Sequence, residues 1–198
     1  STGKYSYGTT TFGIPDGKKI YCEVKMVAVS SGSIQARVGL ISYPTTSATV
    51  GVGSTTYTYG YSTDSGNIVT GNAGSSYGTA FALGDIMGIA IDTVNNKLYF
   101  SKNGTWQNSG DPTSGATGTG AVSIADLGTQ SAANSGNYFL GFSDEGNTAG
   151  ATLSWNFGNG YFGTTAVSSA GTEASTPGIF EYDVPTNYQP LSTKGLNA

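Results

Sequence analysis

The chain has 198 residues, of which 10% are charged and 12% aromatic, and its net charge at pH 7 is −4. This length can close one sizeable hydrophobic core, and low charge combined with many aromatic residues excludes an intrinsically disordered chain. Because an acidic chain offers no basic patch to phosphates, the charge argues against nucleic acid and anionic membranes as partners.

The lack of a long apolar run and the lack of a second cysteine narrow the possible classes of protein. No apolar run approaches the roughly 18 residues that a membrane span needs, so we expect a soluble chain without membrane insertion. Cys22 is the one cysteine, which excludes an internal disulfide, and its place on an apolar strand face predicts a buried, unreactive thiol.

The first well-patterned strand begins at Lys19 and alternates between two faces. Its apolar face comprises Ile20, Cys22, Val24, Met26 and Ala28. A second alternation follows a predicted hairpin loop at 30–33 and comprises Ile34, Ala36, Val38 and Leu40. We therefore expect these two strands to be antiparallel neighbours.

The next predicted strand carries a row of tyrosines between two polar loops, 44–53 and 64–78. The alternation places Thr55, Tyr57, Tyr59 and Tyr61 on one face of this predicted strand. Three amphipathic rings on one face suit a contact platform for a protein or a sugar. The same rings suit core packing equally well, so both interpretations stay open.

The segment 84–106 organises the rest of the chain. From Ile86 to Ile91 the odd-numbered and the even-numbered positions are both apolar, which predicts a strand buried on both faces. Asn95-Asn96 is a turn pair, and the strand after it places Leu98 and Phe100 on one apolar face. Asn103-Gly104 predicts a type I′ hairpin turn, because both residues tolerate positive φ.

A long segment without sustained periodicity, 106–136, follows this hairpin. Long loops are usually functional or mobile, and polar and aromatic loop residues suit binding by shape and hydrogen bonding. The predicted binding residues there are Trp106, Gln107, Asn108 and Asp111. Beyond it, Ala151, Leu153, Trp155 and Phe157 form one strand face, and we expect Trp155 and Phe100 to point into the core.

The chain contains no histidine, which removes the Ser-His-Asp triad and the usual zinc ligands. A short strand is predicted near 179–182. Glu181 and Asp183 are two residues apart, which on a strand is about 6.6 Å, within the range of a glycosidase pair. Pro185 follows and no third carboxylate continues the row, so we expect a solvated pair. We predict no catalytic residue, no metal ligand and no enzyme.

Several segments, in order along the chain, together resemble the signature of the SPRY domain. They are Lys19-Ile-Tyr-Cys-Glu-Val-Lys ("WYWEV"), Arg37-Val-Gly-Leu ("VGV"), Tyr59-Gly-Tyr61 ("GY"), Gly84 to Gly104, Trp155-Asn-Phe-Gly158 ("FNFG") and Phe180 to Ser192 ("PPGFKPL"). The family's usual strands before "WYWEV" are shortened here. Because the chain starts at Ser1 without Met, we expect a processed product or a piece of a longer polypeptide.

The resemblance implies an all-β fold, an antiparallel two-sheet β-sandwich of the concanavalin-like jelly-roll type, as a single domain over residues 1–198. It also implies a non-catalytic recognition module that needs no cofactor and binds its partner through loops at one edge of the sandwich. Fold does not fix function, so this step is an analogy.

The composition indicates the kind of protein in which such a module occurs. A surface rich in Gly, Ser, Thr and Asn with few lysines is similar to SPRY modules of phage or marine-virus structural proteins, which predicts a virion or extracellular location. Two roles stay open: recognition of a protein or glycan, as in receptor binding, and structural self-assembly as a capsid decoration or tail subunit. The second role implies neighbouring shell proteins as partners and a homo-oligomer.

Overall fold

The computed structural model describes residues 7–29, 35–42, 51–129, 136–144, 150–171 and 178–192. They form β-strands, turns and two short 3-10 helices at Gln107–Ser109 and Gly115–Thr117. The strands are β1 (Tyr7–Thr9), β2 (Ile14–Pro15), β3 (Lys19–Val29), β4 (Ala36–Ile41), β5 (Tyr59–Ser62), β6 (Asn67–Thr70), β7 (Ala73–Ser76), β8 (Ile86–Asp92), β9 (Lys97–Lys102), β10 (Thr105–Trp106), β11 (Val122–Ser123), β12 (Asn137–Asp144), β13 (Ala151–Asn156), β14 (Tyr161–Phe162), β15 (Thr165–Ala166) and β16 (Gln189–Pro190). Within these ranges, no helix has the length and apolar character to cross a membrane.

The chain divides into two compact units. The first comprises Ser1–Asp16, Ala28–Leu83 and Ile124–Thr152, and the second comprises Gly17–Val27, Gly84–Ser123 and Leu153–Ala198. Each unit is built on one large sheet whose strands are mainly antiparallel. The single domain expected over residues 1–198 stays a prediction.

The sheet of the first unit has the strand order β1-β12-β4-β5-β6-β7, and β2 also pairs with β12. At its centre β12 and β4 are antiparallel, with Leu140 opposite Leu40. The predicted pairing of β4 with β3 is therefore wrong, since β4 has β12 and β5 as its neighbours. Alternation decides which side chains share a face, whereas the partner strand is decided by the tertiary fold.

A β-hairpin occupies most of the segment that the sequence predicts to be a polar loop, 64–78. Strands β6 and β7 pair with Ile68 opposite Ser75, and Ile68 and Val69 are buried. All four residues of β7, Ala-Gly-Ser-Ser, are exposed. A strand that buries no side chain has no apolar alternation, so the sequence pattern does not reveal it.

The sheet of the second unit has the order β10-β9-β8-β3-β13, with β11 on β9 and β16 parallel to β3. Every residue of β8 is buried, which confirms the prediction of a strand covered on both faces. Phe100 of β9 lies opposite Ile89 and is fully buried, as predicted. Cys22 is likewise a buried free thiol.

The turns of this sheet follow the local sequence. Asn96 has a φ of 58°, and Asn103 and Gly104 have φ values of 49° and 80°, so the predicted positive-φ hairpin turn is confirmed. Asn103 also accepts a hydrogen bond from the Ile86 amide at 2.9 Å and donates one to Asp85 at 2.7 Å. These bonds tie the β9–β10 turn to the start of β8.

The strand β13 lies at the end of this sheet order, and its aromatic side chains are incompletely covered. Trp155, expected to point into the core, is half-buried and stacks on half-buried Phe157, with ring centroids 5.5 Å apart. A terminal strand has a strand neighbour on one side only, so fewer side chains surround it. The short strand expected near Ile179 is reduced to one bridge, to Asn159.

Candidate functional site

Trp106 is held at the end of the β9–β10 hairpin. β10 runs antiparallel to β9 and places Trp106 opposite Ser101. Its indole meets the rings of Tyr21 and Tyr99 edge-on, with centroid distances of 6.4 Å in both cases. Because both tyrosines are buried and the tryptophan is half-buried, the indole is fixed on its inner side and accessible on the other.

The loop after Trp106 is bonded internally. The side-chain oxygen Oδ1 of Asp111 accepts hydrogen bonds from the Thr113 amide at 2.8 Å and from the Thr113 hydroxyl at 2.6 Å. The Asp111 amide donates to the carbonyl of Thr119 at 3.0 Å. Pro112 is buried, and its carbonyl accepts a hydrogen bond from the hydroxyl of buried Tyr188. Asp111 is thus an exposed carboxylate in a fixed position.

A second segment, residues 180–188, lies over the same sheet and is anchored by Glu23. The amides of Glu181 and Tyr182 each donate to the Glu23 carboxylate at 2.9 Å. Phe180, Val184 and Tyr188 pack in one buried cluster with Tyr21, Ala90 and Tyr99. This anchoring leaves Asp183 and Thr186 exposed.

A cleft of about 320 Å³ opens between the loop and this second segment. Ligand pockets commonly have volumes of roughly 300–1,000 Å³, so the cleft has room for a small group or for one or two side chains of a partner. Its lining includes an aromatic, an aliphatic, two carboxylate and two hydroxyl side chains, namely Trp106, Val184, Asp111, Asp183, Thr113 and Thr186.

Burial and negative charge both act on the titratable groups beneath this cleft. Burial raises the pKa of Tyr188 well above its usual value, and the negative charges of Asp92 and Asp111 raise it further. Burial also raises the pKa of Tyr99; the hydrogen bond with Ser114 and the charge of Lys19 oppose this rise, and Asp92 and Asp111 add to it. Both tyrosines therefore stay neutral at physiological pH.

The four binding residues predicted in this loop separate into two pairs. Trp106 and Asp111 line the cleft. The Gln107 side chain donates to the carbonyl of Thr105 at 3.0 Å, and the Asn108 side chain donates to the carbonyl of Gly120 at 3.4 Å. Gln107 and Asn108 thus stabilise the loop by internal hydrogen bonds.

The three predicted tyrosines of the first unit do not share one strand face. Tyr59 and Tyr61 belong to β5 and are 7% and 0% exposed, whereas Tyr57 lies in the preceding turn with a φ of 67° and is 37% exposed. The Tyr61 hydroxyl donates to the carbonyl of Thr79, and the Tyr59 hydroxyl accepts from the Ala125 amide. The expected single row of three rings is wrong, because the backbone turns before Tyr59.

Sequence reasoning missed the C-terminal half of the cleft. The sequence pairs Asp183 with Glu181 as a solvated pair of carboxylates, whereas the Glu181 carboxylate accepts hydrogen bonds from the amide and hydroxyl of Ser168. Thr113 has a local signal in the sequence, since an aspartate side chain commonly accepts a hydrogen bond from the backbone amide two residues on, as Asp111 does here. No metal-binding group of three or more His, Cys, Asp or Glu side chains occurs in the described part of the chain.

Comparison with known proteins identifies relatives by family and by fold. The model of the SPRY domain family matches residues 19–125, more than half of the chain. A crystal structure of a human SPRY domain superposes with a TM-score of 0.51 and 18% identity, covering 72% of this chain and 79% of that one. The SPRY domain of human HERC1 superposes with a TM-score of 0.54 and 17% identity, covering 78% and 84%.

These matches confirm the predicted fold class, an all-β chain with the antiparallel sheets of a SPRY β-sandwich. At such low identity the solved structures establish the fold alone. No curated protein sequence matches the chain.

Proposed function

Because this chain belongs to the SPRY family, whose domains are generally protein–protein interaction modules, we propose that it is a non-catalytic recognition module binding through its loops. The observation that carries this proposal is the cleft between the loop 106–113 and the segment 183–186. Its inner wall is rigid, since Trp106 rests on two buried tyrosines. A preformed, partly apolar concavity with a few polar groups is the usual form of a binding site.

We place this module in a structural protein of a phage or virus, where it recognises a protein or a glycan. The support is compositional: a surface rich in Gly, Ser, Thr and Asn, with 10% charged residues and few lysines. Antibodies raised against the purified chain should label intact particles in electron micrographs. Their failure to label any particle fraction that contains the polypeptide would contradict this location.

A second candidate function is assembly with copies of the chain or with neighbouring capsid or tail subunits. It is favoured by two exposed apolar side chains on adjoining backbone segments, Tyr161 at 48% and Ile179 at 51% exposure, since Ile179 is bridged to Asn159, two residues before Tyr161. Exposed apolar contacts are often interaction sites. Light scattering after size exclusion should then show an oligomer that Ile179→Ser dissociates, whereas a monomer at all concentrations would contradict self-association.

Panning a displayed peptide library and a glycan array with the purified chain tests recognition at the cleft. The chain has two tryptophans, which gives a matched pair of variants. Trp106→Ala removes the aromatic wall and should weaken cleft binders by about tenfold or more. Trp155→Ala, outside the cleft lining, should leave them unchanged.

Circular dichroism of each variant separates loss of binding from loss of folding. If Trp106→Ala fails to fold, Trp106→Leu keeps an apolar side chain against Tyr21 and Tyr99 while removing the aromatic ring. Binders that respond equally to both tryptophan positions would place recognition elsewhere on the chain.

A further inference from the structure

The cleft combines an aromatic wall with an aliphatic floor. The accessible side of Trp106 faces it, and buried Val184 and Pro185 contribute apolar surface. A tryptophan ring is the side chain that attracts a cation most strongly through its negative π face. Aliphatic surface beside such a ring suits the methylene stem of a long basic side chain, which packs its carbons while its charged end stays polar.

Two carboxylates border this apolar surface from opposite segments. Asp111 is held in place by both hydrogen bonds from Thr113, and Asp183 follows directly on Tyr182, whose amide is bonded to Glu23. Both carboxylates are exposed. Because the segments that carry them are anchored, they lose little conformational freedom when a ligand binds.

The charge of the cleft is of one sign. Among the described residues that line it there are two aspartates and neither lysine nor arginine. Of the lysines in the same sheet, Lys19 pairs with Asp92 at 2.9 Å and Lys102 pairs with Asp85 at 3.0 Å, while Lys97 donates a hydrogen bond to the Ser123 hydroxyl. Burial is the first cause of the raised pKa of Tyr188, to which Asp92, Tyr99 and Asp111 add, while the Lys19 ammonium lies 5.6 Å from the centroid of its ring.

We propose that the cleft binds a lysine or arginine side chain of a partner protein. The methylene stem lies along Val184 and Trp106, and the cationic end lies against the indole and within reach of the two aspartates. The hydroxyls of Thr113 and Thr186 are further groups at the rim. This inference rests on the proposed recognition function and adds the chemical class of the ligand, while disfavouring acidic glycans and phosphorylated peptides.

Nuclear magnetic resonance titration with four blocked tripeptides tests this assignment. The probes are Ac-Gly-X-Gly-NH2 peptides in which X is lysine, arginine, citrulline or glutamate, citrulline being the neutral analogue of arginine. Lysine and arginine peptides should shift the indole N–H resonance of Trp106 saturably, and added salt should weaken the effect. Citrulline and glutamate peptides should produce no saturable shift.

Asp111→Asn and Asp183→Asn remove the charges without changing side-chain size, and asparagine keeps an oxygen that accepts from Thr113. Each should weaken binding of the arginine peptide by about two- to fivefold, and the double variant by more. Asp64→Asn, an exposed carboxylate in the first unit, is the matched control and should change nothing.

Equal binding of citrulline and arginine, or unchanged arginine binding in the double variant, would overturn the assignment. The peptide and glycan panels then distinguish failure of the cationic-ligand proposal from failure of the proposed recognition function. Neutral binders that depend on Trp106 would leave recognition at the cleft intact and refute only the cationic ligand. Binders that are insensitive to every cleft variant would refute both.

Discussion

Glu23 is a buried carboxylate that accepts several hydrogen bonds from described residues. They come from the amides of Glu181 and Tyr182, the hydroxyl of Tyr21 and the side-chain amide of Asn156. These donors favour the ionised form, but burial dominates and raises the pKa of Glu23 above its ordinary value of 4.5. The carboxyl group therefore binds its proton more readily in the folded chain than in the unfolded chain.

This raised pKa predicts the sign of a pH dependence. A group that binds protons more tightly when folded stabilises the fold at low pH, and this contribution is lost as pH rises through the raised pKa. In Glu23→Gln that part of the pH dependence should vanish, and the free energy of unfolding should fall by about 1–3 kcal/mol because an amide N–H2 then faces donors. Urea denaturation of both proteins from pH 4 to pH 8 measures this, and identical pH profiles would refute it.

Burial distinguishes two aromatic residues that the sequence pattern treats alike. Phe100 is fully buried, so Phe100→Ala should cost roughly 3–5 kcal/mol of unfolding free energy through lost burial and a cavity. Trp155 is half-buried and its main described ring contact is the stack with Phe157, so Trp155→Ala should cost about 1–2 kcal/mol. Chemical denaturation compares the two, and equal losses would mean that Trp155 is a core residue.

At the scale of elements, the Asn103-Gly104 turn connects the β9–β10 hairpin to the C-terminal segment. Gly104 has a φ of 80°, and a Cβ there would lie 2.7 Å from Cδ1 of the Tyr182 ring. Gly17 has a similar φ of 75° with nothing within 4 Å of a Cβ. The two glycines thus share the backbone requirement and differ in the space around them.

This difference provides a matched pair of substitutions. Gly17→Ala should cost about 1–2 kcal/mol, the usual penalty for an L-residue in the left-handed region. Gly104→Ala should cost about 1 kcal/mol more, since the methyl group must displace the Tyr182 ring. Thermal unfolding measures both losses, and equal values would show that the Tyr182 ring moves aside freely.

Elements defined by local chemistry are those that the sequence predicts well. Ile86 to Ile91 is apolar at both parities and forms a strand buried on both faces, and Asn103-Gly104 supplies the positive φ values of a hairpin. The pairing of β4 with β12 joins residues about 100 positions apart, such as Leu40 and Leu140. No local pattern specifies that partner, so the sequence predicts the strand and not its neighbour.

The candidate site shows the same limit. The sequence predicts Trp106 and Asp111 because they occur together in one loop, whereas Asp183 reaches the cleft because Glu23 and the buried cluster around Val184 anchor its segment. The roles of Gln107 and Asn108 depend on how the loop closes on itself, through bonds to Thr105 and Gly120. Such closure depends on glycines at positive φ. Because the chain contains many glycines, its sequence allows many turns and does not specify which of them form.

At the scale of the whole molecule, low charge limits how recognition works. With 10% charged residues and a net charge of −4, long-range steering of a partner is weak, so affinity must come from short-range contacts. The cleft places two carboxylates, Asp111 and Asp183, beside each other's segments. That arrangement fits a module that reads one side chain of a partner and gains the rest of its affinity from neutral loop contacts.

The composition of the molecule also predicts an absence of hydrolytic activity. Without histidine, acid–base pairs depend on carboxylates, and Glu181 with Asp183 is the pair that the sequence spacing suggests, although these two residues do not form a strand. The Glu181 carboxylate is held by Ser168, and Asp183 lies at the cleft beside Pro185. Assays over a panel of polysaccharides should therefore show no turnover above buffer for the native chain, and Glu181→Gln should be indistinguishable from it. Turnover in the native chain that disappears in Glu181→Gln would show that this carboxylate is catalytic and would contradict the prediction of a non-catalytic module.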